Sequence, residues 1–139
     1  MSLGVPPTYE KTIQIQVTIP AKQEANSLLT AKLIDNPVEG AKDSLQVPVT
    51  QVWIIKDIYV KSAPSIDVML EIYKNGTKKM IRTSPLSTQV ITNDSRDKIT
   101  PLGFEPGSII SVQAINLEAN SGTAAVTVTA YAKVEVYGQ

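Results

Sequence analysis

The segment that most restricts the possible folds of this chain is its C-terminal stretch, residues 124–136. Because consecutive side chains of a β-strand point to opposite faces, its alternating pattern predicts a long amphipathic strand with one face in a core. At about 3.3 Å per residue the strand would run roughly 40 Å, about twice the usual length. We therefore predict that it bends near residues 130–132 and serves both halves of a sandwich. Its apolar face consists of Ala124, Val126, Val128, Ala130, Ala132, Val134 and Val136.

Two segments with strand signals precede it. In residues 11–19 Ile or Val alternates with Gln or Thr until Pro20, and residues 47–62 are rich in β-branched and aromatic side chains. Both patterns are typical of strands. In the second segment we expect Trp53 in the core and a bulge near Asp57. The alternative role of Trp53, a platform for a sugar ring, requires an exposed indole.

A hairpin is predicted over residues 65–82. Apolar residues alternate up to position 72, and Asn75-Gly76 supplies the positive φ angles of a two-residue turn. Residues 83–108 are assigned mostly to a connection, with one short strand in STQVIT, and alternation resumes at residues 110–114. In residues 21–35, Ala25, Leu28, Leu29 and Leu33 fit a helical stripe, whereas Leu29, Ala31 and Leu33 fit a strand. We favour a loop followed by the strand.

About eight strands and no clear helix predict an all-β protein, an antiparallel β-sandwich of jelly-roll type. An immunoglobulin-like sandwich is the alternative. A length of 139 residues is usual for one domain. We expect a single β-sandwich domain over residues 10–139, preceded by a flexible N-terminal arm over residues 1–9.

Composition argues against several classes of function. Thirteen Lys plus Arg residues balance thirteen Asp plus Glu residues, so no overall field attracts nucleic acid or an anionic membrane, and we expect neither as a partner. The chain has no histidine and no cysteine, which removes Ser-His-Asp and Cys-His catalysis and histidine-ligated metal sites. We expect no enzyme activity, no catalytic residues, no cofactor and no metal.

The carboxylates offer weak candidates for chemistry. Asp67 and Glu71 share one face of a predicted strand but lie about 13 Å apart at strand rise, too far for glycoside hydrolysis. Asp94 and Asp97 carry oxygen ligands that suit calcium, but their segment lacks the EF-hand pattern. We interpret that segment as a solvated turn.

One local cluster is a candidate surface contact: Asn75, Lys78, Lys79 and Arg82, around and after the predicted turn. Its positive charge suits an acidic partner. The other interpretation is an edge strand that its lysines protect from pairing with other chains.

Residues 47–137 resemble the single jelly rolls of virion surface proteins. The stretches that carry the resemblance are WIIKDIYV, DVMLEIYKNGTKK, FEPGSIISVQAIN and TVTAYAKVEVY. The PG-then-strand opening and the long final strand resemble the vertex or turret proteins of icosahedral archaeal viruses and the head domains of phage fibres. The resemblance implies a protein without catalysis that assembles around a symmetry axis, and the Lys-, Ile- and Thr-rich composition suits a thermophilic archaeal host.

Two functional hypotheses follow. The first is a non-enzymatic structural protein of a virion, a capsid vertex, turret or fibre head, that forms homo-oligomers and contacts other virion proteins or a host receptor. The second is a carbohydrate- or protein-binding module of a larger secreted or cell-surface protein. An enzyme is the third and weakest hypothesis. It is retained because a Ser-Lys catalytic arrangement can form between residues that are distant in sequence.

Overall fold

The computed structural model describes residues 7–80, 83–89 and 101–138, and these residues form two antiparallel five-stranded sheets packed as a β-sandwich. The all-β prediction is confirmed. The strands are β1 (Tyr9–Ile19), β2 (Leu28–Thr30), β3 (Lys32–Ile34), β4 (Leu45–Gln46), β5 (Gln51–Tyr59), β6 (Val68–Lys74), β7 (Thr77–Met80), β8 (Leu102–Phe104), β9 (Ile109–Asn116) and β10 (Val126–Gly138). The described part of the chain holds no helix long and apolar enough to cross a membrane.

The strands pair in a nested order. Sheet 1 runs β3-β1-β10-β5-β8, and sheet 2 runs β2-β9-β6-β7 with β4 also paired to β9. The inner pair β6·β7 is thus enclosed by β5·β8, then by β9 with β4 and β2, and finally by β1·β10. The chain therefore resembles one long antiparallel ribbon folded over so that its successive pairs alternate between the two sheets.

Alternating apolar residues face the space between the sheets, as predicted. Ile13, Ile15, Val17 and Ile19 of β1 and the corresponding residues of β10 are almost inaccessible to solvent. They belong to one continuous apolar core with β5, β6 and β9. Trp53 also belongs to this core, at 2% exposure, so its predicted core position is confirmed.

The predicted bulge and hairpin are both present. Opposite Lys133 and Val134, the register of β5 jumps from Asp57 to Ile55 and leaves Lys56 as the extra residue. Asn75 and Gly76 have φ angles of 52° and 81°, and they connect β6 to β7. The bulge explains why Ile55 and Ile58 both face the core although they are three positions apart.

The prediction that the C-terminal strand serves both sheets is wrong. β10 stays in sheet 1 over its 13 residues, because β1 is nearly as long and pairs with it from Tyr9↔Val136 to Ile19↔Val126. The two sheets are instead bridged by the short segment from β2 to β3, which changes sheet at the fully buried Ala31.

Other differences concern short elements. Residues 86–89 form a 3-10 helix rather than the beginning of the short strand predicted in STQVIT, whose remaining residues lie outside the described ranges. β8 lies in the segment assigned to a connection. Tyr9, the last residue of the predicted arm, pairs with Val136, and Thr8 donates a backbone hydrogen bond to Val136 O at 2.8 Å.

Two buried asparagines close the end of the sandwich at which β10 begins. The side-chain nitrogen of Asn120 lies 3.0–3.1 Å from the carbonyl oxygens of Ile19, Pro20 and Ala124. The Asn116 amide donates to Glu24 O at 2.8 Å and to Glu118 O at 2.9 Å. The Asn120 contact with Ile19 O is buried, and the other contacts are partly buried, so the two amides bind loop carbonyls together at this end.

Candidate functional site

An opening between the sheets lies at the opposite end of the sandwich, where β1, β5 and β9 begin and β10 ends. We call it the open end. A cleft of about 580 Å³ occupies it. Its lining comes from the first residues of β1, β5 and β9, from β4 and from the loops on either side of β4. Core packing stops here because inward positions of β1 hold Tyr9 and Lys11 instead of Ile or Val.

Lys11 forms the floor of the cleft together with Trp53. The Lys11 ammonium lies 3.5 Å from the Trp53 ring centroid and 2.9 Å from Asp35 Oδ2. Trp53 Nε1 donates to Gln51 Oε1 at 2.9 Å. The cation-π contact and the ion pair allow a lysine to occupy an inward position. Since Lys11 covers the indole, a sugar ring could stack on it only by displacing this side chain.

Local hydrogen bonds connect the residues of the wall formed by the loop between β3 and β4. Asn36 Oδ1 accepts from Val38 N at 3.0 Å, and Asn36 O accepts from Glu39 N and Gly40 N at 3.0 and 3.1 Å. Gly40 has a φ of 80°, which glycine adopts without strain. Lys42 lies 2.6 Å from Glu39 and holds the pKa of that carboxyl below its ordinary value through a hydrogen bond.

The cleft carries no net charge. Its four charged lining residues are Lys11, Asp35, Glu39 and Lys42, and they form two ion pairs. The remaining polar lining comes from amide and hydroxyl groups. Such a surface suits a neutral polar ligand or an equally neutral protein face better than a phosphate or a metal ion.

The structure places the predicted contact residues in different surroundings. Asn75 is hydrogen-bonded to the first residue of β9: its Oδ1 accepts from Ile109 N at 2.9 Å, and its backbone N donates to Ile109 O at 2.8 Å. Ile109 lines the cleft, so Asn75 lies beside the open end. Lys78 instead forms an ion pair with Glu71 at 3.1 Å. The side chain of Lys79 and all of Arg82 lie outside the described residues.

Asp67 and Glu71 serve structural contacts. Asp67 caps the 3-10 helix, because its Oδ1 accepts from Ser87 N at 3.0 Å and its Oδ2 from Ser87 Oγ at 2.6 Å. Glu71 is 2% exposed and accepts a hydrogen bond from Tyr73 Oη at 3.0 Å. Burial raises the pKa of Tyr73, and the hydrogen bond to Glu71 adds to the effect.

The candidate metal ligands can be compared with the structure only in part. Asp94 and Asp97 lie outside the described residues. Within residues 7–80, 83–89 and 101–138, no three carboxylates come together in a group that could hold a metal ion.

Sequence reasoning did not find the cleft. The available signal was Lys11, a charged residue in phase with the apolar face of β1. An inward-phase lysine marks the point at which a sheet leaves the core. The loop that forms the wall carries no periodicity, so its position next to β1 could not be read from the sequence.

Comparison with known proteins gives one sequence relative. No family model matches the chain. Capsid protein VP4 of Sulfolobus polyhedral virus 1 is 30% identical over 79 residues, a match that covers 50% of this chain and 44% of that protein. The chain thus spans less than half the length of the curated relative that it matches.

A solved structure is described as the EclA C-terminal domain, a sugar-binding protein. The alignment covers 97% of this chain and 83% of the EclA chain. It shares 13% sequence identity, with a TM-score of 0.32. A similarity at this score carries no argument about fold or function.

Proposed function

We propose that this protein is a non-enzymatic structural component of a virion that assembles with copies of itself. The observation that carries the proposal is the 30% identity over 79 residues to a protein named as a viral capsid protein. The all-β sandwich is compatible with this role, because such domains form many viral shells.

The roles of the carboxylates support a protein without catalysis. Asp67 caps a helix and Glu71 accepts hydrogen bonds from neighbouring strand residues, so each has a structural task. Lys11, the inward lysine of the cleft, is engaged by Asp35 and Trp53.

The strand order supports the finer assignment to the jelly-roll type. A jelly roll arises when an antiparallel ribbon folds so that its nested pairs alternate between two sheets. Sheet 1 contains β1-β10-β5-β8 and sheet 2 contains β2-β9-β6-β7, an order that supports this arrangement with β3 and β4 as additional strands. A vertex, turret or fibre-head location in the virion is our preferred form of the proposal.

The host is part of the same proposal. The relative comes from a Sulfolobus virus, which supports an archaeal virus with a thermophilic host. A thermophilic protein should melt well above the mesophilic range of about 45–65 °C. A melting midpoint below about 45 °C would contradict this part of the proposal without affecting the structural role.

Light scattering over a range of protein concentration and salt, followed by electron microscopy of the heaviest species, tests self-assembly. The expected result is a closed oligomer or larger particle whose mass is an integer multiple of the 15.0 kDa chain. A strict monomer at every concentration would contradict the self-assembling role.

The cleft favours a second candidate, a carbohydrate- or protein-binding module. Its polar lining without net charge suits a neutral ligand such as a glycan. A glycan array, read with and without EDTA, tests this function. The ring of Tyr9 is half-exposed and lines the cleft, so a glycan-binding protein should lose its array signal in the Tyr9→Ala variant. The wild-type signal should be insensitive to EDTA.

A further inference from the structure

Exposed apolar side chains are concentrated at the open end. Among the described residues, the large hydrophobic side chains with substantial exposure are Tyr9 at 45%, Leu28 at 58%, Val38 at 93%, Val49 at 80% and Ile109 at 42%. Tyr9 and Ile109 line the cleft, and Val38 and Val49 stand on loops whose neighbouring residues line it. Exposed apolar groups that cluster in this way are typical of protein-protein contacts.

Leu28 is the exception. It pairs with Ile115, at the far end of β9 from Ile109. The six-residue separation along the strand is roughly 20 Å at strand rise. Within the part of the chain that the structure describes, exposed large apolar groups therefore lie mainly at one end, and Leu28, the exception, serves as a natural control.

The two valines are presented on ordered loops. Val38 N is bonded to Asn36 Oδ1 at 3.0 Å within the hydrogen-bonded turn that ends at Gly40. Val49 lies in a turn closed by the hydrogen bond from Gln51 N to Pro48 O at 3.0 Å. A loop whose backbone is held by hydrogen bonds before binding loses less conformational entropy on contact, so each loop is suited to an interface.

The charges of the open end permit contact between identical surfaces. The two ion pairs of the cleft, Lys11–Asp35 and Lys42–Glu39, leave no excess of either sign. When copies of one chain meet through the same face, any net charge on that face opposes association. A neutral face with an apolar rim removes this opposition, and the whole chain is also neutral.

We propose that the open end is the surface through which copies of this chain contact one another, with their Val38 and Val49 loops packed side by side around a common axis. The inference rests on the proposed structural role and specifies its contact surface. The same end would then be buried in the assembly, and the opposite end, with Leu28 and the asparagine-closed loops, would face outward.

The test compares three proteins by sedimentation velocity across a concentration series: wild type, Val38→Asp/Val49→Asp, and the control Leu28→Asp. Burying one valine is worth about a tenfold change in an equilibrium constant. The double variant should therefore raise the dissociation constant between copies about 100-fold or more, whereas Leu28→Asp should leave it within about threefold. Both valines are largely exposed, so far-ultraviolet circular dichroism should show an unchanged fold.

A milder variant, Val38→Ser/Val49→Ser, provides the same comparison if the aspartates disturb the loops. Higher sulfate concentration should strengthen wild-type association, because an apolar contact responds to salting-out whereas exposed ion pairs weaken with ionic strength.

The results separate this inference from the proposed function. Equal association of all three proteins, or equal loss in Leu28→Asp, would overturn the open end as the contact surface and leave the structural role intact. A wild-type chain that stays monomeric throughout the series would overturn both.

Discussion

Asn120→Ala should destabilise the sandwich strongly, although Asn120 takes no part in any proposed contact. Its amide nitrogen lies 3.1, 3.0 and 3.0 Å from the carbonyl oxygens of Ile19, Pro20 and Ala124, and its Oδ1 accepts from Gly122 N at 3.1 Å. The side chain is 5% exposed. It thus links the end of β1 to the beginning of β10.

The magnitude follows from the atoms removed. An amide has two hydrogens, which three carbonyls share, and one accepting oxygen, so the substitution removes the equivalent of three hydrogen bonds. At about 1 kcal/mol each, the free energy of unfolding should fall by about 3 kcal/mol. For a chain of this length that corresponds to a loss of about 10 °C in melting temperature.

Asn120→Asp provides a sharper version of the same test. A carboxylate in this position faces three carbonyl oxygens and should have a folded-state pKa above its unfolded value of about 3.9. The stability of this variant relative to wild type should then be highest below about pH 3.9 and should be lost as the pH rises through the folded-state pKa.

The matched control is Asn36→Ala, which also removes an asparagine side chain that bonds to a backbone N–H, but in an exposed loop. Water can replace that contact, so its cost should be below about 1 kcal/mol. Chemical denaturation followed through the single tryptophan measures all three variants. Equal losses in Asn120→Ala and Asn36→Ala would refute the argument that burial of the amide decides its value.

Three further predictions concern other regions. Gly76→Val should lower stability by about 1–2 kcal/mol because φ is 81° there, whereas Gly76→Asn should be nearly neutral; thermal melts decide. Lys11→Ala should cost about 1 kcal/mol and shift tryptophan emission to the red, because the indole loses its cover; an unchanged spectrum would contradict this. Burial raises the pKa of Tyr73 and Tyr137. The contribution of each neutral phenol to the stability of the fold should therefore be complete below about pH 10, the unfolded-state pKa, and should be lost as the pH rises through the folded-state pKa. Ultraviolet titration of the Tyr→Phe variants checks this assignment.

Periodicity predicted the faces of the long strands but not their partners. Alternation in β1, β6, β9 and β10 identified the core residues because one buried face leaves a period of two. Turn chemistry located the Asn75-Gly76 hairpin for an equally local reason. Pairing of β1 with β10 depends on residues more than a hundred positions apart, and no local pattern records it. The prediction that β10 serves both sheets was wrong for this reason: its length is explained by pairing with β1, which is nearly as long.

Short elements carried too little pattern to be assigned. β8 has three residues and pairs with β5 through Trp53↔Phe104, so tertiary contact rather than periodicity defines it. The cleft has the same character, since one wall is a loop and its floor depends on the contact of Lys11 with Trp53. Of the predicted contact residues, Asn75 lies beside the open end. Lys78 forms an ion pair with Glu71 of the neighbouring strand, and the sequence pattern alone did not indicate this pair.

The nested strand order determines when this chain can fold during its synthesis. Tyr9 must find Val136, and β10 occupies the middle of sheet 1 between β1 and β5. The apolar side of β1 therefore leaves the ribosome long before its partner, and contacts so distant in sequence form slowly. We expect a chain that stops before Val126 to lack the centre of a sheet rather than its edge, and to aggregate instead of folding in part.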